Sequence, residues 1–305
     1  MSCAPVEVFL ACRLRDFPVL ILAVQGCREH FGASRIIVAC PKQDVKAMRF
    51  GLRGDAEVID ENRVTPNMDQ HAFRSAKIPY FPAAFGWYCQ QILKMSFART
   101  TAAQHYLVWD ADTIPLTMVP FFDSKGRIFL TTSNEYHEPY FHTYKQLIGE
   151  NPPHAHSFIS QHMLVDSAAM RSLLAEIEMR FQVDDWTVAL REVLCQSPYQ
   201  KNLFSEYETY ANYLSARFPE KVATRTLQWS REDNVRTWGV DQNRITRARD
   251  SGDVYLAVES KNTICARLLL KAFEQSRFNL IKKMGVLLAR ELAGFDKSKT
   301  HSKSY

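Results

Sequence analysis

Two aspartates separated by one residue, Asp110 and Asp112, are the side chains of this sequence best suited to chemistry. They directly follow Tyr106–Trp109, an apolar run that is typical of a buried strand. Carboxylate oxygens are the ligands that Mg²⁺ and Mn²⁺ prefer, so this Asp-x-Asp pair (the D-x-D motif) predicts a divalent-cation site. A pair of solvated loop aspartates is the plain alternative.

A predicted helix over Gly86–Thr100 carries a second group of candidate residues. Its polar positions lie three and four residues apart and therefore share one face of the helix. A lysine on that face offers a cation to a phosphate, and the glutamines offer hydrogen bonds to a base or sugar. An exposed polar stripe is the competing interpretation. The candidate ligand-binding residues of this helix are Trp87, Gln90, Gln91 and Lys94.

Acidic residues also begin a predicted helix over Ser205–Arg217. Glu206 and Glu208 are candidates for the base that takes a proton from an acceptor hydroxyl group. Ordinary capping competes with this role, above all for Glu208, because Ser205 and Glu208 form a capping-box pattern.

Polar and aromatic residues between these groups suit a sugar acceptor. Gln161 and His162 lie in a predicted strand, Phe158–Val165, whose alternation sends neighbouring side chains to opposite faces. One of the two is expected to bind the acceptor. Residues 134–158 are rich in histidine, tyrosine and phenylalanine, whose rings stack on sugars, and they predict an acceptor loop.

The order of the predicted elements indicates the fold class. The first strands are predicted at Val6–Cys12, Arg35–Cys40 and Ala56–Ile59, with helices at Phe17–Phe31 and Lys42–Phe50. Later strands are predicted at Ile128–Thr132, Val222–Trp229 and Val254–Val258, and a long loop at Asp60–Ala84. Alternating strands and helices predict an α/β fold with a mixed, mainly parallel sheet flanked by helices. Ligands bind such sheets at the carboxyl ends of the strands, where the D-x-D motif stands.

The composition is that of a globular enzyme, with 46% hydrophobic and 23% charged residues among 305. It excludes collagen-like, low-complexity and wholly disordered chains. The seven cysteines are scattered without a C-x-x-C pair, which predicts reduced thiols and no zinc site. The first residues show no secretory signal, and no run reaches the roughly 18 apolar residues of a membrane span. A cytoplasmic protein is expected.

Charge is unevenly distributed along the chain. Residues 220–305 carry a net charge of +7 and residues 1–219 one of −2. Residues 263–295 combine basic and apolar residues at helical spacing and predict an amphipathic helical extension. Such a helix docks on the inner membrane surface, or it packs on the domain as an ordinary core helix. Residues 1–262 are the predicted catalytic domain, and residues 296–305 a disordered tail. Nucleic-acid binding is disfavoured, because the basic excess is modest.

Four blocks of the sequence together resemble the GT-A nucleotide-sugar glycosyltransferases, and within them a bacterial polysaccharide-type group catalogued as a domain of unknown function. The blocks span residues 86–94, 106–113, 158–165 and 205–210, and they follow one another in that order. The resemblance covers about residues 5–260. It implies the GT-A fold and transfer of a sugar from a nucleoside diphosphate sugar to a hydroxyl group of a glycan or lipid-linked glycan.

The resemblance also implies roles for individual residues. Asp112 would coordinate a Mn²⁺ or Mg²⁺ ion that bridges the donor diphosphate, and Asp110 would contact the donor ribose or a metal-bound water. Glu206 or Glu208 would be the base, which slightly favours inverting chemistry. A third metal ligand in such enzymes is often a late histidine, but no histidine lies between His162 and His301 here. This departure puts the metal coordination in question.

Three other functions compete with this interpretation. The motif Asp110-x-Asp112-x superficially fits the nucleophile motif of haloacid-dehalogenase-like phosphatases. Their second acidic motif follows the nucleophile, however, whereas Asp55 and Asp60 precede it here. A nucleotidyltransferase usually has a glycine-rich loop after its first strand, and Arg13–Asp16 contains no glycine. A non-catalytic carbohydrate-binding or scaffold protein would not need its candidate polar residues to converge on one place.

Overall fold

The computed structural model describes residues 6–79, 85–235 and 242–260. Its strands are β1 (Glu7–Ala11), β2 (Arg35–Cys40), β3 (Glu57–Asp60), β4 (His105–Trp109), β5 (Thr113–Pro115), β6 (Ile128–Thr131), β7 (His162–Asp166), β8 (Val222–Arg225), β9 (Ser230–Val235) and β10 (Tyr255–Ser260). Its α-helices are α1 (Phe17–Phe31), α2 (Val45–Leu52), α3 (Gln70–Ser75), α4 (Phe85–Ser96), α5 (Glu138–Ile148), α6 (Ser167–Phe181), α7 (Trp186–Cys195), α8 (Glu206–Arg217) and α9 (Gln242–Asp250).

The central sheet has the strand order β3-β2-β1-β4-β7. Its first four strands are mutually parallel, and β7 runs antiparallel to β4. Every residue of β1 is buried, as expected for a strand whose two faces are covered by helices. The predicted class, an α/β fold with a mixed, mainly parallel sheet, is therefore confirmed.

In the first half of the chain, the structure agrees closely with the helix and strand signals of the sequence. Helix α1 occupies the predicted span and ends at Gly32, whose φ of 55° is the left-handed conformation that glycine adopts readily. Gly26 in the same helix allows a close approach of β5, because a Cβ atom there would lie 2.7 Å from Cδ of Pro115. This contact seats the strand that follows the D-x-D motif against α1.

A second, three-stranded sheet lies beside the motif, with the order β5-β10-β9. Strand β5 begins directly after Asp112 and pairs antiparallel with β10. The amide of Val258 in β10 donates to the carbonyl oxygen of Asp112 at 2.8 Å. The strand predicted at Val254–Val258 is thus present at Tyr255–Ser260, and it is hydrogen-bonded to the backbone of the motif. Strands β6 and β8 form a parallel pair.

Several predicted elements differ in extent. The strand predicted over Phe158–Val165 begins only at His162, because Gln161 has a φ of 62° that extended backbone does not allow. The strand predicted over Val222–Trp229 ends at Arg225. The long loop at Asp60–Ala84 contains α3, and the short elements β5, β9 and α9 had no prediction.

The predicted extension, residues 263–295, and the predicted tail, residues 296–305, lie outside the described residues, as does the predicted domain end at residue 262. Within the ranges that the structure describes, no helix is long and apolar enough to cross a membrane.

Candidate active site

The D-x-D motif forms a tight, braced turn at the carboxyl end of β4. The amide of Asp110 donates to the carbonyl oxygen of Gln161 at 2.9 Å, and the amide of Thr113 donates back to the carbonyl oxygen of Asp110 at 3.0 Å. The indole Nε1 of buried Trp109 donates to the carbonyl oxygen of Thr113 at 2.7 Å. Because these hydrogen bonds hold the backbone on both sides of the turn, the positions from which the two aspartate side chains extend are fixed.

Lys94 joins the motif to the start of α8. Its Nζ atom forms a salt bridge with Asp110 Oδ1 and a second one, of 2.6 Å, with Glu206 Oε1. The side chains of Lys94 and Glu206 are only 9% and 7% exposed. Burial alone would lower the pKa of Lys94, but the charges of Asp110 and Glu206 outweigh it and raise that pKa. Lys94 is therefore a permanent cation between two carboxylates.

Helix capping explains why α8 presents Glu206 at this point. Ser205 is the N-cap residue, and its hydroxyl oxygen accepts from the amide of Glu208 at 3.2 Å. The amide of Glu206 donates to Gln91 Oε1 of α4 at 3.2 Å. Two of the free amides at the helix start are thus satisfied, one by its own cap and one by α4. Burial raises the pKa of Glu206, against the opposing charge of Lys94.

The two carboxylates of the motif differ in how far the protein compensates them. Asp110 Oδ1 accepts from Tyr207 Oη at 2.7 Å as well as from Lys94. Asp112 is half-buried, forms no salt bridge with the described residues, and accepts from the Thr113 hydroxyl at 3.5 Å and from its own backbone amide. Burial, and then the negative charges of Asp110 and Asp16, raise the pKa of Asp112 to about 7. A cation at Asp112 would relieve this penalty.

The carboxylate oxygens of Asp112 are the type of ligand that a hard divalent cation prefers. Among the described residues, however, no group of three His, Cys, Asp or Glu side chains is arranged to hold a metal ion. A cation here would therefore take most of its ligands from substrate phosphates and water, as Mg²⁺ commonly does.

Gln161 extends the site on the other side of Asp110. Its side-chain amide is oriented so that both its nitrogen and its oxygen form hydrogen bonds. The nitrogen donates to Asp110 Oδ2 at 3.1 Å, and the oxygen accepts from Arg231 at 2.9 Å. Arg231 in turn contacts Glu135 at 3.3 Å. Asp110 therefore has protein donors on both oxygens, which does not fit the free nucleophile that a phosphatase of the haloacid-dehalogenase type needs.

Two predicted site residues lie away from this cluster, in structural roles. Glu208 Oε1 accepts from the Ser157 hydroxyl and, at 3.0 Å, from the amide of Phe158, and burial raises the pKa of Glu208 to about 7. His162 is buried beside Trp109, with ring centroids 5.2 Å apart. Burial, aided by the charge of Arg225, lowers the pKa of His162 to about 3. Both side chains are buried, and neither contacts Asp110, Asp112 or Lys94 among the hydrogen bonds of the described residues.

The four residues predicted to form one binding face of α4 also differ in their positions relative to the cluster. Lys94 and Gln91 point into the cluster, as described above. Trp87 packs at the edge, with its ring centroid 6.5 Å from that of Tyr140 in α5. Gln90 is half-buried. Trp87, Gln90, Gln91 and Lys94 were predicted as one binding face; the structure brings Lys94 to the D-x-D motif and Gln91 to the start of α8.

Two residues of the cluster had no predicted role. Tyr207 was inside the block Ser205–Tyr210, and its position next to Glu206 was the signal that it lies near the site. Arg231 gave no signal, because it reaches Gln161 from β9, which had no prediction.

Comparison with protein families gives one match. The family of unknown function DUF6492 matches residues 18–242, about three quarters of the chain. No curated protein matches the sequence.

Several solved structures are similar in fold. The apo form of mouse xyloside xylosyltransferase 1 is 14% identical, with a TM-score of 0.46, and the match covers 83% of this chain and 97% of that one. The galactosyltransferase LgtC with donor and acceptor sugar analogues is 11% identical, with a TM-score of 0.45 and coverage of 88% and 96%.

A third similar structure is glucosyl-3-phosphoglycerate synthase from Mycobacterium tuberculosis with Mn²⁺, uridine diphosphate and glucosyl-3-phosphoglycerate. It is 11% identical, with a TM-score of 0.32, and the match covers 58% of this chain and 64% of that one. At these identities the likenesses concern the fold only.

Proposed function

The chain belongs to the family of unknown function DUF6492, and we propose that it is a glycosyltransferase, which moves a sugar from a nucleoside diphosphate sugar to a hydroxyl group of a glycan. One observation carries the proposal: Asp110, Lys94 and Glu206, from three separate elements, meet at the carboxyl edge of the sheet. A carbohydrate-binding scaffold with a decayed site has no need of a buried lysine held between two carboxylates. The resemblance of the four sequence blocks supports the same conclusion.

The donor diphosphate is proposed to lie against Asp112, at the uncompensated end of the D-x-D motif. A bound Mn²⁺ or Mg²⁺ ion would neutralise the negative charge that grows on the departing nucleoside diphosphate. Asp110 is proposed to orient the donor ribose, because its carboxylate is held by Lys94, Tyr207 and Gln161 and cannot rotate away. The permanent charge of Lys94 lowers the cost of bringing further anions to this place.

Glu206 is proposed as the base, in line with the inverting chemistry that the sequence favours. Its raised pKa makes it a better proton acceptor than an ordinary glutamate, while the salt bridge with Lys94 keeps it ionised before reaction. Glu208 is not part of the proposal, since its carboxylate supports the backbone of residues 157–158.

The acceptor is proposed to be a glycan or a lipid-linked glycan, with Gln161 on its side of the site. A cytoplasmic location is proposed, as predicted from the scattered cysteines and the first residues. Docking on the inner membrane surface is a separate prediction that depends on residues 263–295. These residues lie outside the described ranges.

The first test is a thermal-shift screen of UDP, GDP, CMP and dTDP, each with and without Mn²⁺. A ligand of the native state raises the melting temperature with its occupancy. We expect a metal-dependent rise with one nucleotide, which Asp112→Asn abolishes. Asp184→Asn, an exposed aspartate between α6 and α7, is the matched control and should keep the rise. A folded wild-type protein that responds to none of the four would refute the proposal.

The base is tested with the nucleotide sugars of whichever nucleotide binds. Glu206→Gln should reduce the release of nucleoside diphosphate from the donor by at least about 100-fold, the usual contribution of a general base, while nucleotide binding persists. Glu208→Gln, two residues further along the same helix, should leave the rate within about twofold, because it touches no reacting group. Equal rates for the two variants would contradict the assignment of Glu206.

A further inference from the structure

A groove outside the proposed donor site lies over the first turn of α5. It has a volume of about 430 Å³ and is bounded by the start of α5, the 151–155 loop and Tyr199. The side chains that matter for its chemistry are Tyr136, Glu138, His142, Lys145, His154 and Tyr199. We call it the α5 groove.

The aromatic rings in the α5 groove are exposed or half-buried, and each packs against another ring. The side chain of Tyr136 is 56% exposed, and its ring stacks on buried Phe141 with centroids 4.6 Å apart. The rings of His142 and Tyr199 meet edge to face at 5.4 Å. The Tyr199 hydroxyl is hydrogen-bonded to Glu138. A ligand that stacks on these rings would not have to order them, which reduces the entropic cost of binding.

The chemistry of this lining matches a sugar ring better than a purely apolar or a strongly charged ligand. A pyranose has an apolar face that packs on tyrosine or histidine, and a rim of hydroxyl groups. Glu138 and Lys145 provide an acceptor and a donor at the rim, and their charges oppose each other. No single charge dominates the groove, so it favours a neutral ligand.

A continuous chain of contacts links the α5 groove with the D-x-D motif. Asp110 contacts Gln161, Gln161 contacts Arg231, and Arg231 contacts Glu135, the residue before Tyr136. On a second route, Tyr140 of α5 lies against Trp87 of α4, the helix that carries Lys94. The groove is thus connected to the D-x-D motif through a few side chains.

We propose that the α5 groove binds the distal pyranose rings of a neutral oligosaccharide acceptor whose terminal sugar reaches the D-x-D motif. This inference rests on the proposed function, because the oligosaccharide is an acceptor only if the protein transfers a sugar. The binding of an oligosaccharide can nevertheless be tested independently. The enzyme would then act on a growing glycan chain and discriminate against single sugars.

The test is saturation-transfer NMR on the full chain with four tetrasaccharides: maltotetraose, cellotetraose, mannotetraose and chitotetraose. At least one is expected to bind, and Tyr136→Ala should weaken its binding roughly three- to tenfold, the value of one aromatic contact. Tyr199→Ala is a second variant with the same expected effect. Phe50→Ala removes an exposed aromatic ring from α2, outside the groove, and should leave binding unchanged.

The same samples are then melted with the nucleotide found in the donor screen. Tyr136→Ala is expected to keep the full nucleotide response, which shows that the variant is folded and the donor site intact. Binding of no tetrasaccharide, or binding that neither groove variant weakens, overturns the inference even where the nucleotide response is present. Groove-dependent oligosaccharide binding without any nucleotide response supports the groove and refutes the proposed glycosyl transfer instead.

Discussion

Replacing Lys94 by methionine removes the charge that Asp110 and Glu206 share, while it keeps most of the length of the side chain. Both carboxylates are then left without their cation, and the Glu206 side chain is only 7% exposed. Removing one partner of a buried ion pair costs about 3–5 kcal/mol, because the remaining charge stays desolvated. For a domain of this size that corresponds to a melting temperature lower by roughly 10 °C.

The loss of stability in Lys94→Met is expected to increase with pH. The pKa of Glu206 is already raised by burial, and loss of the lysine raises it further. A carboxyl group whose pKa is higher in the folded than in the unfolded protein loses stability as the pH rises above its unfolded value, about 4.3 for glutamate. The variant should therefore be close to wild type near pH 4 and show its full deficit at pH 8.

Urea unfolding at pH 4 and pH 8 measures this difference in stability. Arg28→Met is the control: its salt bridge with Asp55 spans 3.2 Å, but the two side chains are 52% and 49% exposed, so its loss should cost about 1 kcal/mol or less. Adding Glu206→Gln to Lys94→Met should recover part of the loss at pH 8. A deficit for Lys94→Met that is independent of pH, or no larger than that of the control, would refute the electrostatic explanation of the cluster.

Variants at three further positions test the site and its supports. Asp112→Asn should stabilise the metal-free protein by about 1–2 kcal/mol at pH 8 and not at pH 4, because a carboxyl whose pKa is raised to about 7 loses stability between about pH 4 and pH 7; urea unfolding at the two pH values checks this. Gly26→Ala should destabilise the protein by about 1–3 kcal/mol, since its Cβ would lie 2.7 Å from Pro115; an unchanged melting temperature would contradict the close contact. At Gln161, with a φ of 62°, the glycine variant should be more stable than the alanine variant by about 1 kcal/mol in the same unfolding assay.

The sheet was predictable because its local signals agree with its tertiary position. Strands buried on both faces appear as continuous apolar runs, and Gly32 and Pro41 mark where α1 and β2 end. The elements that escaped prediction are short or polar. Strand β5 has only three residues, and β9 (SREDNV) carries charged residues without an apolar run. Such strands form because a neighbour offers hydrogen bonds, which is a tertiary property.

The site was predictable only in part, for a similar reason. The D-x-D motif, Lys94 and Glu206 stand at element ends or on helix faces, where spacing alone brings them to the carboxyl edge of the sheet. The placement of Gln161 depends on a left-handed backbone conformation, and that of Arg231 on an unpredicted strand. No periodicity in the sequence reports either one.

The unequal treatment of the two D-x-D carboxylates is the strongest argument for the division of their roles. Asp110 is compensated by a buried cation and two further donors before any ligand arrives, so a metal ion gains little by binding to it alone. Asp112 is left with a raised pKa, one long side-chain hydrogen bond and a bond to its own amide, a cost that the folded protein bears without benefit to its own stability. Cation binding removes that cost at Asp112 and not at Asp110. Under the proposed function, the free energy that folding leaves uncompensated at Asp112 would thus be returned on binding of the donor and its cation.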